Sequence, residues 1–177
     1  MEYKATFTIG ERDLVRFYMH QFWKNQMASI VIFAVIGMLL SFLFANGRVP
    51  AAGVAAVMAV TLCAVVGAFY LSYRFGIQRK VRKSAVKSGV STYQQEVRIN
   101  GFGVRVEAQG KTGRLSFDKL VLVEETKQYL YLYMTKEVAW LLPKDQMEHP
   151  EKDLAALREL FEKVIPAKQL RMKHHAA

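Results

Sequence analysis

Between Leu14 and Gln95 the chain carries nine Lys or Arg residues and no Asp or Glu, and inside that stretch lie two uncharged runs, 25–47 and 49–73. Successive segments of this length, apolar on every face, have no place in the core of a small water-soluble domain. The body of the first run, Met27–Ala45, is roughly 28 Å long at 1.5 Å per residue, close to the hydrocarbon thickness of a bilayer. The second run, about 50–73, spans with some tilt. A pair of buried core helices is the soluble alternative, and it fails on length. A cleaved leader is the alternative for the first run alone. The region before it carries Glu2, Glu11 and Asp13 and a pattern of its own, unlike a short basic leader.

The link Asn46-Gly47-Arg48-Val49 is too short for anything but an antiparallel hairpin, with Pro50 in the first turn of the second helix. Small residues four apart offer close contact: Gly37 and Ser41 on the first helix, Ala52/Ala56, Ala55/Ala59 and Cys63/Gly67 on the second. Orientation follows from Lys and Arg. The loop has only Arg48, whereas the flanks hold Lys4, Arg12, Arg16 and Lys24 on one side and six residues from Arg74 to Lys87 on the other. Both termini are therefore expected in the cytoplasm, with Trp23 and Tyr73 at one interface.

The rest of the excess charge is small. The net charge is +10 over 177 residues, and residues 96–177 are nearly balanced. The positive charge thus marks a membrane face rather than a nucleic-acid surface. After Tyr73 the helical period continues, with Ile77, Val81 and Ala85 on one arc and Arg79, Lys80, Arg82, Lys83 and Lys87 opposite. With Arg74, these cations are the candidate lipid-facing set for anionic headgroups. The plainer reading is that they only set topology.

Residues 3–9 alternate as a half-buried strand and need a sheet to join, and the C-terminal sheet is the one available. Leu14, Val15, Tyr18, Met19 and Phe22 then form one stripe of a helix. From Thr92 strand patterns follow one another. Asn100-Gly101 reads as a hairpin turn, and 110–113 as a second. KLVLVEE, KQYLYLYMT and VAWLLP come next, giving a meander of about five strands. Tyr129, Tyr131 and Tyr133 share one face as a packing ladder. Glu124 and Glu125 read as a solvated turn rather than an acid/base pair. A final helix carries Leu154, Leu157, Leu160, Phe161 and Val164 on its apolar face. The expected fold is an α+β membrane protein, a two-helix transmembrane hairpin plus a small antiparallel-sheet domain capped by one C-terminal helix. Its expected parts are 1–26, 27–73 (spans about 27–45 and 50–73), a basic exit helix and linker 74–91, the domain 92–166 and a frayed basic tail 167–177.

The order of parts, with EYKATFTIGERDLVRFYMHQFW, the VRINGFGVRVEA hairpin and EVAWLLPKDQM before the last helix, resembles the YcxB-like family of bacterial membrane proteins. The resemblance is most specific from about Tyr93 to Ile165. It implies a pleckstrin-homology-like C-terminal fold, a bacterial membrane location and no catalytic motif.

Chemistry-bearing patterns are absent from the sequence. The one cysteine, Cys63, falls in a predicted span, and His20, His149, His174 and His175 have no metal-site spacing. Gly101-Phe102-Gly103 opens a strand rather than a helix, so it is turn chemistry. The spans hold no charged residue or histidine for an ion path. No catalytic residue, cofactor or metal is expected. The expected role is a non-enzymatic, membrane-anchored cytoplasmic module that binds a protein partner or organises a membrane complex. The alternative is an anionic-lipid-binding module at the inner membrane surface, to which Lys111, Arg114 and Lys127 would add. A homo-oligomer is compatible with either reading, and an enzyme with an unrecognised site is the third reading.

Overall fold

The computed structural model describes residues 2–45, 50–88 and 92–172. The chain divides into two compact units, residues 14–88 and the two flanks 1–13 and 89–177 together.

The first unit is the helical pair, α1 (Glu11–Ala45, which begins in the other unit) and α2 (Ala51–Ser88). Both are long and apolar enough to cross a membrane. Neither breaks where its apolar body ends, so the expected exit helix is the last part of α2. The expected loop, Asn46–Val49, lies outside the described residues. Val31, Ile32, Leu39, Leu43 and Phe44 of α1 and Val60 of α2 are exposed.

The second unit is built from both ends of the chain. β1 (Tyr3–Gly10) pairs antiparallel with β2 (Thr92–Asn100), residue for residue from Tyr3↔Ile99 to Gly10↔Thr92. β3 (Gly103–Ala108) and β4 (Lys111–Ser116) complete a sheet in the order β1-β2-β3-β4. A second sheet has the order β7-β6-β5-β8, from β5 (Leu122–Glu125), β6 (Tyr129–Tyr133), β7 (Ala139–Pro143) and β8 (Leu170–Arg171). The single meander expected from the sequence is thus two sheets. Local alternation marks each strand but carries no record of which sheet it joins.

Phe7, Ile9, Val97, Ile99, Val104 and Val106 are buried along the inner face of the first sheet. Trp140 of β7 approaches it so closely at Gly113 that a Cβ there would lie 3.0 Å from Trp140 Cζ2. Buried Gln95 donates its Nε2 to the Leu141 carbonyl, a second tie between the sheets. Gln146 engages the β1 edge at Thr8. Its Oε1 accepts Thr8 N–H at 2.7 Å and its Nε2 donates to Thr8 O at 2.9 Å, which occupies the backbone groups of one edge residue.

α3 (Pro150–Val164) buries Leu154, Leu157 and Phe161, with Ile165 just beyond its end. Val164, expected on the apolar face, is exposed, because the 154-157-161-165 stripe is the one that meets the 3.6-residue period. Phe161 meets Phe117 edge to face at 6.0 Å. The start of α1 is held by Asp13, whose Oδ2 accepts Gly10 N–H at 2.8 Å while its Oδ1 accepts the Tyr129 hydroxyl at 2.6 Å.

Two turns differ from expectation by small shifts. Asn100 pairs with Gly103, so the β2–β3 turn is Gly101-Phe102, with Asn100 Oδ1 accepting Phe102 N–H at 3.0 Å. Gly103 is required where it stands, because a Cβ would lie 2.4 Å from Leu115 O. The β3–β4 turn is Gln109-Gly110 with φ of 52° and 72°, the left-handed pair of a type I′ hairpin, so 111–113 belong to β4.

Candidate interaction surface

Antiparallel register sets the outer face of the first sheet. Lys4 lies opposite Arg98, Arg98 opposite Arg105, and Arg105 opposite Arg114, so four cations form one row across four strands. In the next row Glu96 lies opposite Glu107, flanked by Thr6 and Thr112. Like charges directly opposite each other disfavour a sheet, and the two carboxylates offset this. Glu96 Oε1 takes Arg98 Nε at 2.6 Å and Lys4 Nζ at 3.3 Å, and Arg105 pairs with Glu107. The hydrogen bond from Arg98, and then that from Lys4, holds the Glu96 carboxyl below its usual range. Glu2 also acts on Arg98. Arg114, on the edge strand β4, has no ion pair among the described residues.

The same end of the sheet carries the β2–β3 turn, where Phe102 is 89% exposed. A phenyl ring presented to water at a tight turn loses hydrophobic stabilisation of about 1.5–3 kcal/mol relative to burial. Phe102 and Arg114 therefore combine an aromatic anchor with an uncommitted guanidinium, the residue types that dominate protein interfaces.

The family model described as YcxB-like protein matches residues 99–161. This stretch is a YcxB-like domain. It runs from the end of β2 through most of α3 and includes Phe102, Arg105 and Arg114, whereas β1, the helical pair and Arg98 lie outside it. No curated protein and no solved structure matches the chain.

Inside the YcxB-like domain, the acidic pair Glu124-Glu125 is not the solvated turn expected. Both residues are buried in β5. Glu125 Oε1 accepts Lys144 Nζ and Arg158 Nη2, each at 2.6 Å, and its Oε2 accepts Arg158 Nε at 2.9 Å. Burial opposes the charged form, but the Arg158 and Lys144 bonds outweigh it and bring the carboxyl down to about 2. A carboxylate so committed to two cations is a structural clasp between β5, the 144–146 turn and α3, not a general base. The partners lie 19 and 33 residues away, so no local pattern announces them. The tyrosine ladder is buried, with rings at 5.6 Å for Tyr129–Tyr131 and 6.1 Å for Tyr131–Tyr133. Burial raises the Tyr131 hydroxyl well above its usual range, so it stays neutral.

The candidate lipid-facing cations are placed along the last part of α2. Arg74, Arg79, Lys80, Arg82 and Lys83 are exposed, while Ile77 and Val81 are buried. The side chains of Ala85 and Lys87 lie outside the described residues. Arg74 Nη1 donates to the Tyr70 hydroxyl at 2.9 Å. Phe22 stacks on Tyr73 at 3.9 Å and Trp23 on Tyr70 at 6.2 Å, which makes one aromatic level across the helical pair.

Of the helix-packing candidates, Gly37 and Ser41 lie at the seam. A Cβ on Gly37 would lie 3.2 Å from Thr61 Cγ2, and Ser41 Oγ bonds Thr61 Oγ1 at 2.9 Å. The Gly37 and Val57 carbonyls lie within reach of the two hydroxyls at 2.8 and 2.9 Å, so one hydroxyl donates across the seam while the other donates to its own helix. Facing Gly37 on α2 are Thr61 and Val65. Ala52, Ala56 and Cys63 are exposed, and the Cβ position of Gly67 meets nothing within 4 Å. Among the described residues no group of His, Cys, Asp and Glu is arranged to hold a metal. His174 and His175 lie outside them.

What the sequence pattern did not announce is the cation row. Its four members are spread over residues 4–114, and only the register places them side by side.

Proposed function

We propose that this chain is a membrane-anchored interaction module, non-enzymatic, that binds a protein partner or organises a membrane complex at the inner face of the bacterial cytoplasmic membrane, with both termini in the cytoplasm. The observation that carries the reading is Phe102, 89% exposed at a turn on the same end of the sheet as Arg114. That end is opposite Gly10 and Thr92, where the chain leaves for the helices and returns. An exposed aromatic ring beside an arginine free of ion pairs among the described residues suits a protein partner.

The topology is supported by β1 and β2, which pair although the two helices lie between them in sequence. A domain assembled from both flanks needs an even number of crossings, and the lone Arg48 between the spans supports a cytoplasmic domain. A pleckstrin-homology-like reading is supported by β1 to β4 in one sheet, β5 to β7 in the next, and one helix after them.

In cells, a photocrosslinker at position 102 is expected to capture one discrete protein, and one at exposed Lys136 is not. Arg114→Glu should weaken that capture about 30-fold, the loss of an interface hot spot worth about 2 kcal/mol. Equal capture from both positions, or none from 102, sinks the reading.

The exposed cations of α2 favour anionic lipid as the second reading. In nanodiscs, adding phosphatidylglycerol to a neutral bilayer should then slow hydrogen exchange of the full chain over residues 76–88, and Lys80→Glu with Lys83→Glu should remove the effect. Exchange that ignores lipid charge leaves these cations as topology signals alone.

A further inference from the structure

β5 is paired unequally on its two sides. β6 covers it from Leu122 to Glu125, while on the other side, among the described residues, Val123 and Glu124 pair with Leu170 and Arg171 of the parallel strand β8. Parallel pairing is slightly weaker per residue than antiparallel, and strands commonly run to five or six residues. The side-chain contact is also loose. Arg171 Nη1 stands 4.0 Å from Glu124 Oε1, with the arginine side chain 61% exposed and the glutamate 12%. A contact at that distance, with its arginine mostly in water, holds the strap weakly. β8 is reached from α3 through Pro166 and one 3₁₀ turn, Ala167–Gln169, closed by Gln169 N–H to Pro166 O at 2.8 Å. The sequence pattern predicts only a frayed tail here, whereas part of that tail forms a strap across a sheet edge.

The strap reveals what the edge accepts. It offers backbone groups for an extended segment parallel to β5, an apolar position beside Val123 and a nearly buried carboxylate, Glu124, for a cation. We propose that the β5 edge is a second binding site, separate from the outer face of the first sheet. It takes an extended segment of a partner protein carrying an aliphatic residue followed by Lys or Arg. The chain's own Leu170-Arg171 keeps the edge closed until the partner displaces it. Because the strap is tethered, it competes at an effective concentration on the order of millimolar, so a partner must bind more tightly than the strap or bind elsewhere as well.

The test uses the full chain in detergent, a chain ending at Pro166, and a fluorescent synthetic peptide with the sequence of residues 166–172. The shortened chain should bind the peptide at least ten-fold more tightly than the full chain. Arg171→Glu in the full chain, which sets two carboxylates against each other, should move its affinity toward that of the shortened chain. A peptide with its arginine replaced by glutamate should not bind. If the shortened chain loses its melting transition, the comparison of the Arg171→Glu chain with the native full chain decides. Equal affinity in the full chain and the opened forms overturns the proposal, as does no binding to an opened form that still melts cooperatively. Concentration-dependent dimerisation of the full chain that is lost on truncation would also overturn it, by making the occupant a second copy.

Discussion

Glu125→Gln is expected to lower the stability of the sheet domain by about 3 kcal/mol, because it leaves Lys144 and Arg158 facing each other across a neutral amide. The value is at the lower end for breaking a buried pair, since the Lys144 and Arg158 side chains keep 16% and 19% of their exposure. For a domain of this size the melting temperature should fall by on the order of 15 °C. The pH dependence has a definite sign. The carboxyl is near 2 in the folded domain against an ordinary 4.5, so its contribution is complete above about 4.5 and is lost as pH falls from there towards 2. Urea midpoints measured from pH 6 down to 2.5 should therefore converge for the native chain and the variant. Curves that stay parallel would mean that Glu125 is not held as a charged clasp.

Deleting residues 2–10 should have a still larger effect on a part of the chain more than 80 residues away. β1 buries Phe7 and Ile9 completely and Tyr3 almost so, and a Phe-to-Ala change at such a site alone costs about 3–5 kcal/mol. The deletion also strips the whole β2 edge of its partner and removes the Gln146 clasp on Thr8. The remaining domain should lose cooperative melting, with fast hydrogen exchange across 92–116. Phe7→Ala should reproduce part of the loss and remain folded. Unchanged exchange over β2 in the deletion would show that the domain does not depend on β1. It follows that a fragment beginning at Arg74 lacks a strand of its own sheet and is a poor surrogate for binding experiments.

The two long helices were legible because hydrophobic length is a local property, and so were most strands, because alternation is local too. The turn at 100–103 shows how fine the limit is. Asn100-Gly101 is a sound turn signal, yet the pairing of Asn100 with Gly103 moves the turn by one residue and puts Phe102 rather than Gly101 at the tip. Glu125 shows a coarser limit. Two adjacent acids before Thr126 and Lys127 look solvated, and only the approach of Lys144 and Arg158 makes their burial tolerable.

By itself, then, the sequence determined the apolar helical pair, the change from helix to strand near Thr92 and the terminal amphipathic helix, since each follows from a periodicity spanning a few turns or residues. That the N-terminal strand joins the C-terminal sheet was also legible, but only the tertiary structure decided that its partner is β2, that four cations share a row, and that Leu170-Arg171 lies along β5. These depend on pairings between distant residues, whose free energy comes from backbone register and burial together, and no short window of sequence contains both partners.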